Sequence, residues 1–379
     1  MYGSWKRCSP LEKTVEEQSG FLESVGLNSD NSFWPDKKVI ITGHTGFKGS
    51  WLALWLSDLD AKVTGYALDP LTDPNLFSVL DFEKSIIDHR GDIRDLSALE
   101  RVIKSTKPEI IVHMAAQPLV RESYKDPVGT YATNVMGTVN LMEAARTCDS
   151  VRVILVVTSD KCYENEEIEN GYWETDPMGG HDPYSSSKGC AELVTSAFRR
   201  SFFKEGSAVA VGSARAGNVI GGGDWAADRI IPDAMHAFSG KETLQVRNPD
   251  AVRPWQHVLE PLSGYMTLCE KMWDQPSKFS EGWNFGPEDE SVRTVEEVTV
   301  RMSDLWGDHV ALDKSNGNHP HEATLLKLNI TKAKEKLGWT PKWDLDTALQ
   351  KTVSWYKSYY NGEDMLEISQ KQIEEYQAS

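Results

Sequence analysis

VIITGHTGFKGS, residues 39–50, joins a strand to a helix through three glycines. Val39, Ile40 and Ile41 form an apolar run without polar alternation, the pattern of a parallel strand buried on both faces. Gly43, Gly46 and Gly49 follow at GxxGxxG spacing, and Phe47, Trp51, Leu52, Trp55, Leu56 and Leu59 then recur with helical period. The first glycine permits a tight turn, the second lets the backbone approach a pyrophosphate, and the third allows helix and strand to pack closely. Amides at the helix start then face the anion. A glycine triplet alone also occurs in loops of no function. With a strand before it and a helix after it, the triplet reads as a dinucleotide-binding turn in which Phe47 also borders the cofactor.

Outward from this unit, KVTGYALD (62–69) forms a second strand ending at Asp69. An acid there accepts ribose hydroxyls and repels a 2′-phosphate, which favours NAD over NADP. SIIDH (85–89) is a third strand, followed by Gly91, Asp92 and Ile93, where an acid and an apolar residue can bracket an adenine edge. After a helix over 96–104, EIIVHMAAQ (109–117) is a further buried strand. Ala115 and Ala116 leave room for a cofactor across its tip, and Gln117 and Asn134 are placed with them as cofactor contacts. Asp126 and Pro127 open a long helix through Asn134 and Met142, and VRVILVVTS (151–159) is again apolar throughout.

A helix over 183–203, the strand AVAVGSARAG and the loop GGGDW complete a first domain. The alternation specifies an α/β, Rossmann-type doubly wound parallel sheet. Past residue 220 it gives way to short helices and Pro-flanked loops, read as a smaller C-terminal substrate-binding lobe over the strand tips. The expected division is an extension over 1–33, a dinucleotide-binding domain over 34–220, a lobe over 221–361 that may return a strand or helix to the first domain, and a peripheral acidic tail over 362–379. LDTALQKTVSWYKSYY (345–360) reads as the last amphipathic helix.

Of the 379 residues, 40 are Lys or Arg and 57 Asp or Glu, a formal charge of −17 that argues against nucleic acid or an anionic membrane as partner. A phosphate-bearing substrate therefore needs local donors. No apolar run approaches the roughly 18 residues of a membrane span, and the first 33 residues lack the apolar core of a secretory signal, so a cytoplasmic location is expected. Cys8, Cys148, Cys162, Cys190 and Cys269 are widely spaced without a CxxC, which indicates neither a disulfide framework nor a metal site.

Tyr184 and Lys188 stand four apart in GGHDPYSSSK, inside the expected helix, and so share one face. Lysine beside tyrosine lowers the phenol's pKa, so that Tyr184 can act as a base toward a sugar hydroxyl. A YxxxK string alone marks many solvated helices; Ser159 at the end of the preceding strand makes it a set able to oxidise an alcohol carbon against a nicotinamide. Arg253 in VRPWQHV is the leading candidate for a diphosphate, since a guanidinium fork matches phosphate oxygens. Arg229 and Asn218 are weaker candidates, as is Arg215, nearer the cofactor, and Arg121 and Ser123 are placed against the hexose. Trp225 and Trp255 are candidate walls of the nucleotide pocket; His44, His181 and His257 read as local or architectural.

With these residues in place, roughly 36–360 resembles the extended short-chain dehydrogenase/reductase family. TGHTGFKG (42–49), TSDKCYEN (158–165), RAGNVIGGGDW (215–225), VRPWQHVLEPL (252–262) and HEATLLKL (321–328) are similar to its nucleotide-sugar 4,6-dehydratases, the cytidine branch in particular. The resemblance implies NAD, a nucleotide-sugar substrate, a role in deoxysugar biosynthesis and a homodimer through helices near 127–147 and 183–203. It also implies that Ser159, Asp160 and Lys161 are the catalytic hydroxyl, acid and base; dTDP-glucose enzymes typically carry Glu where Lys161 stands. Oxidation at carbon 4 of a hexose acidifies the hydrogen on carbon 5, which a neutral Lys161 would remove while a protonated Asp160 releases the 6-hydroxyl as water. A UDP-sugar 4-epimerase would share the Ser/Tyr/Lys set but has no use for that acid and base. A non-catalytic NAD-sensing protein has no use for Tyr184 and Lys188.

Overall fold

The computed structural model describes residues 32–82, 85–204, 206–307, 312–313 and 326–379. The expected N-terminal extension lies outside them except for its last two residues, as does 321–325 of HEATLLKL.

Seven parallel strands form the central sheet: β1 (Lys38–Thr42), β2 (Lys62–Ala67), β3 (Ile87–Arg90), β4 (Ile110–His113), β5 (Val153–Val157), β6 (Ala210–Ala216) and β7 (Gly282–Phe285). Their spatial order is β7-β6-β5-β4-β1-β2-β3, so the winding reverses between β1 and β4. That reversal opens a crevice at the strand tips. The unalternating run of β1 is explained by its two faces: Val39 and Ile41 enter one core, and Ile40 enters the other.

Helix α1 (Phe47–Asp58) covers the first face, burying Trp51, Leu52, Trp55 and Leu56. Full burial of such side chains is worth roughly 1.5–3 kcal/mol each. The opposite face is covered by α2 (Leu96–Thr106), by α3 (residues 127–146), and by α4 (Pro183–Ser201). Helix α3 is the run Pro127–Tyr131, a π turn Ala132–Met136, and Gly137–Arg146. Asp126 and Asp182 start α3 and α4 by accepting the amides of Gly129 and Ser185, each followed by a proline whose missing N–H costs nothing there.

The alternation does not stop at residue 220. Helix α5 (Leu259–Asp274) packs beneath the sheet and β7 pairs with β6, so the later chain does return a helix and a strand to the first domain. At four residues, GWNF is too short to announce itself as a strand. Helix α6 (Leu345–Tyr360) stands where its period placed it.

The acidic tail is not peripheral. It forms α7 (Met365–Ala378), which buries Met365, Ile373 and Tyr376. The Tyr376 hydroxyl donates to the buried Glu260 at 2.7 Å, and its ring meets Trp55 and Trp343 edge-on. Three buried apolar anchors spread over three turns among polar and charged residues are a weak pattern, and the acidic residues between them conceal it.

Candidate active site

A cleft of about 740 Å³ runs over the strand tips at the switch point. At one end Gly43 adopts φ +79° with its Cα against the backbone of Ala115, where a Cβ would stand 2.8 Å from the amide nitrogen. A Cβ on Gly49 would fall 2.1 Å from the Gly43 carbonyl oxygen, whereas one on Gly46 would meet nothing closer than 3.4 Å. The turn is therefore closed behind and open in front. No side chain caps the α1 amides beside it. Gly43, Gly46, Phe47, Gly49, Asp69, Asp92, Ile93, Ala115 and Ala116 all line the cleft, and these residues fit a dinucleotide. Asp69 lies 3.9 Å from Arg90, and Asp92 is chelated by the Arg94 guanidinium, which holds its carboxyl below the usual range.

The reacting groups stand at the other end. Ser159 caps a short 3₁₀ turn, Asp160–Cys162, so consecutive residues Ser159, Asp160 and Lys161 are all presented to the cleft. Burial pushes the Asp160 carboxyl up, against the opposing pull of Lys161, Ser159 and Arg253. Tyr184 and Lys188 reach the same wall from α4, beside Ser159.

The expectation that Lys188 brings the Tyr184 phenol down is not met. Burial raises Tyr184 to about 12, with Ser159 and Arg229 opposing, and burial lowers Lys188 to about 8. In a dry site the cost of charging either group outweighs their proximity.

Arg121, Asn218, Arg229 and Arg253 line the cleft together with Trp225 and Trp255. Arg229 is paired with Asp224 at 2.7 Å. Arg215 is not among the residues that line the cleft; it is buried in an ion pair with Glu192 at 2.8 Å. Three further candidates stand behind the cleft wall. Gln117 spends its amide on Leu119 and Thr130, the buried Asn134 bonds both backbone groups of Gln117 as well as Ser187, and Ser123 donates to the Val120 carbonyl within its own helix. They secure the loop after β4 rather than present groups to a ligand. His44 bonds Asp88 at 2.9 Å and is kept from protonating by burial, as a local donor would be.

Several cleft residues escaped the sequence reading. Lys48 extends from the first turn of α1 to the Tyr265 hydroxyl at 3.2 Å, and burial brings it down to about 7, with Lys188 adding to the effect. Its signal was a charge at the i, i+3, i+4, i+7 spacing of Lys48, Trp51, Leu52 and Trp55, on a face otherwise apolar. Arg247 and Asp228 also line the cleft, and Asp228 bridges Arg247 and Arg121 across its mouth. Nothing local in the sequence brings those three together.

A glycine turn at the switch point of a seven-stranded parallel sheet, facing a Ser/Tyr/Lys set, defines a dinucleotide-dependent enzyme of the short-chain dehydrogenase/reductase type. Residues 40–352 match the family model described as GDP-mannose 4,6 dehydratase, and the chain belongs to this family of nucleotide-sugar dehydratases. It is 52% identical over 354 residues to a CDP-glucose 4,6-dehydratase of Salmonella typhimurium, covering 92% of this chain and 99% of that one. It is 25% identical to dTDP-glucose 4,6-dehydratase 1 of Escherichia coli, over 85% of this chain and 93% of that protein. Among solved structures, a dTDP-glucose 4,6-dehydratase from Bacillus anthracis in complex with NAD superposes with a TM-score of 0.72 at 24% identity, covering 87% and 99% of the two chains. An epimerase from Methanothermobacter thermautotrophicus superposes with 0.76 at 22%, over 86% and 94%. These two share the fold.

Proposed function

We propose that the protein is a CDP-glucose 4,6-dehydratase, converting CDP-glucose to CDP-4-keto-6-deoxyglucose and water, with NAD held at the glycine turn by Gly43, Gly46, Gly49 and Asp69. The observation that carries this reading is the acid and base, Asp160 and Lys161, set directly after Ser159 on the wall that also presents Tyr184 and Lys188. The 52% identity to the Salmonella typhimurium enzyme supports cytidine as the base.

NAD held at the glycine turn would supply a hydride acceptor for carbon 4, a hydride donor for carbon 6 and a positive charge that favours the Tyr184 phenolate. The side chains do the rest. Tyr184, on the same wall as Ser159, removes the proton of the 4-hydroxyl, with Lys188 one helical turn away to stabilise the phenolate. The resulting ketone makes carbon 5 acidic, and Lys161 takes its hydrogen. Asp160, kept protonated by burial, gives its proton to the departing 6-hydroxyl. Arg253 holds the diphosphate, with Arg229 and Asn218 in support, and Arg121 contacts the sugar; all four line the cleft.

The proposal extends to a homodimer through α3 and α4, whose outer surfaces carry Val128 at 78% exposure and Leu193 at 59%, large apolar side chains that a second copy would cover. It places the reaction in the cytoplasm within deoxysugar biosynthesis, such as that of lipopolysaccharide O-antigen. No described helix is long and apolar enough to cross a membrane.

The test is incubation with CDP-, dTDP-, UDP- and GDP-glucose while the 4-keto chromophore is followed in base. CDP-glucose is expected to react fastest, with deuterium from carbon 4 recovered in the new methyl group. An epimer formed without loss of water would identify a 4-epimerase instead, and NAD binding with no turnover of any sugar would identify a sensor.

A further inference from the structure

Behind the reacting turn lies a buried polar network that the chemistry above does not use. Glu192, four residues after Lys188 on α4, accepts three hydrogen bonds through its carboxylate: from Thr158 Oγ1 at 2.5 Å, Ser213 Oγ at 2.7 Å and Arg215 Nη2 at 2.8 Å. Arg215 Nη1 donates to the Tyr163 hydroxyl at 2.6 Å, which in turn donates to Asn284 Oδ1 at 2.8 Å. Thr158 immediately precedes Ser159, and Tyr163 immediately follows the Asp160–Cys162 turn. Both ends of the segment bearing the hydroxyl, acid and base are thus tied to one carboxylate on the helix that bears Tyr184 and Lys188.

We infer that Glu192 is a positioning residue for the reaction, fixing the Ser159–Asp160–Lys161 turn against α4 and facing Lys188 with a negative charge. The inference rests on the proposed function for its kinetic readout only.

Burial alone would push the Glu192 carboxyl up; Arg215, Thr158 and Ser213 outweigh it and hold the group below the usual range, so it is ionised at any working pH. Burial lowers Lys188 to about 8, and the opposing pull comes from Cys162 and Glu192. Burial also raises the Cys162 thiol well above its ordinary value, so at neutral pH the thiol is uncharged and the opposing charge is that of Glu192. The other groups facing Lys188 do not supply it. Lys48 on α1, brought down to about 7, and Arg215 behind Glu192 carry no negative charge in either state, His113 on β4 is held neutral down to about 3, and Asp160 is pushed toward its neutral form. Removing the Glu192 charge also leaves Arg215 uncompensated, which disfavours protonated Lys188 further.

The test compares wild type with Glu192→Gln, following the Lys188 titration by NMR of lysine carrying 13C at Cε, with its signal assigned by loss in Lys188→Arg. In Glu192→Gln the Lys188 midpoint is expected to move down by about one pH unit or more. The alkaline limb of kcat should move with it while KM for CDP-glucose stays within about twofold. An unmoved Lys188 titration overturns the inference. Thr158→Val and Tyr163→Phe leave the ion pair intact and test the tether even if Glu192→Gln does not fold. Each is expected to lower kcat about tenfold or more at unchanged KM, and an unchanged kcat in both overturns the positioning role. Failure of the wild type to act on CDP-glucose would instead count against the proposed function, and the titration would still decide the inference.

Discussion

The Ser159 hydroxyl donates to Asp160 Oδ1 at 2.9 Å, so the hydroxyl that shares the cleft wall with Tyr184 is joined directly to the acid that releases water. Asp160 is 4% exposed and enclosed closely enough that a Cβ on Gly217 would approach Oδ2 to 2.6 Å. Asp160→Asn keeps the shape and the bond to Ser159 but removes the transferable proton. It is expected to lower kcat by about 10²–10⁴ with NAD binding unchanged. Steady-state kinetics and NAD retention on gel filtration check both halves; a variant within tenfold of wild type would take Asp160 out of the acid role.

Lys161 follows Asp160 in the turn after β5 and lines the cleft, half-buried. Lys161→Ala is expected to stop product formation while leaving NAD bound, because the proton on carbon 5 then has no acceptor in reach. The readout is the 4-keto-6-deoxy product by chromatography alongside bound NAD by absorbance. Undiminished turnover would assign proton removal to another group.

The fold was legible because its signals are local. The run Val39–Ile41, the glycine spacing, the apolar stretch of β5 and the period of residues 345–360 each specify their own element. What was missed depends on partners distant in sequence. Tyr376 is worth burying only because Glu260 waits for its hydroxyl, and β7 is a strand only because β6 offers an edge. The site divides the same way. Ser159, Asp160, Lys161, Tyr184 and Lys188 form two short strings, whereas the Glu192–Arg215 pair closes over 23 residues and the Arg121–Asp228 bridge over 107. Burial, too, is a tertiary property, and it reverses the shift expected for Tyr184.

Gly43 holds φ +79° against the Ala115 backbone, where a Cβ would also lie 2.9 Å from the Met114 carbonyl carbon. Neither neighbour is a side chain that can turn aside. Gly43→Ala must either take on backbone strain of roughly 1–3 kcal/mol or separate β1 from β4, and both outcomes displace the turn that faces the pyrophosphate. The expected result is a lower melting temperature together with loss of NAD binding, read by thermal unfolding with and without NAD. Gly46→Ala, which meets nothing closer than 3.4 Å within the protein, should retain the melting temperature but still weaken NAD, since its open side faces the cofactor.

His257 is wholly buried against the Trp343 ring at 5.0 Å, its Nε2 has no hydrogen-bond partner, and Nδ1 accepts only a long 3.4 Å bond from the Leu259 amide. Burial, assisted by Lys351, lowers it from the ordinary 6.5 to about 3. The sign follows from which state binds the proton. Between these two values the unfolded chain is protonated at this position and the folded protein is not, so the histidine costs stability as pH falls below 6.5. From pH 6.5 to pH 5 that cost is about 2 kcal/mol, at roughly 1.4 kcal/mol per pH unit. Other titrating groups, including the carboxyls that burial raises, are common to wild type and variant and cancel in the difference. His257→Phe is therefore expected to gain about 2 kcal/mol relative to wild type between pH 7 and pH 5, whatever it costs in packing at pH 7. Urea unfolding of both proteins at the two pH values measures that difference; a constant difference would mean that His257 is protonated in the folded core.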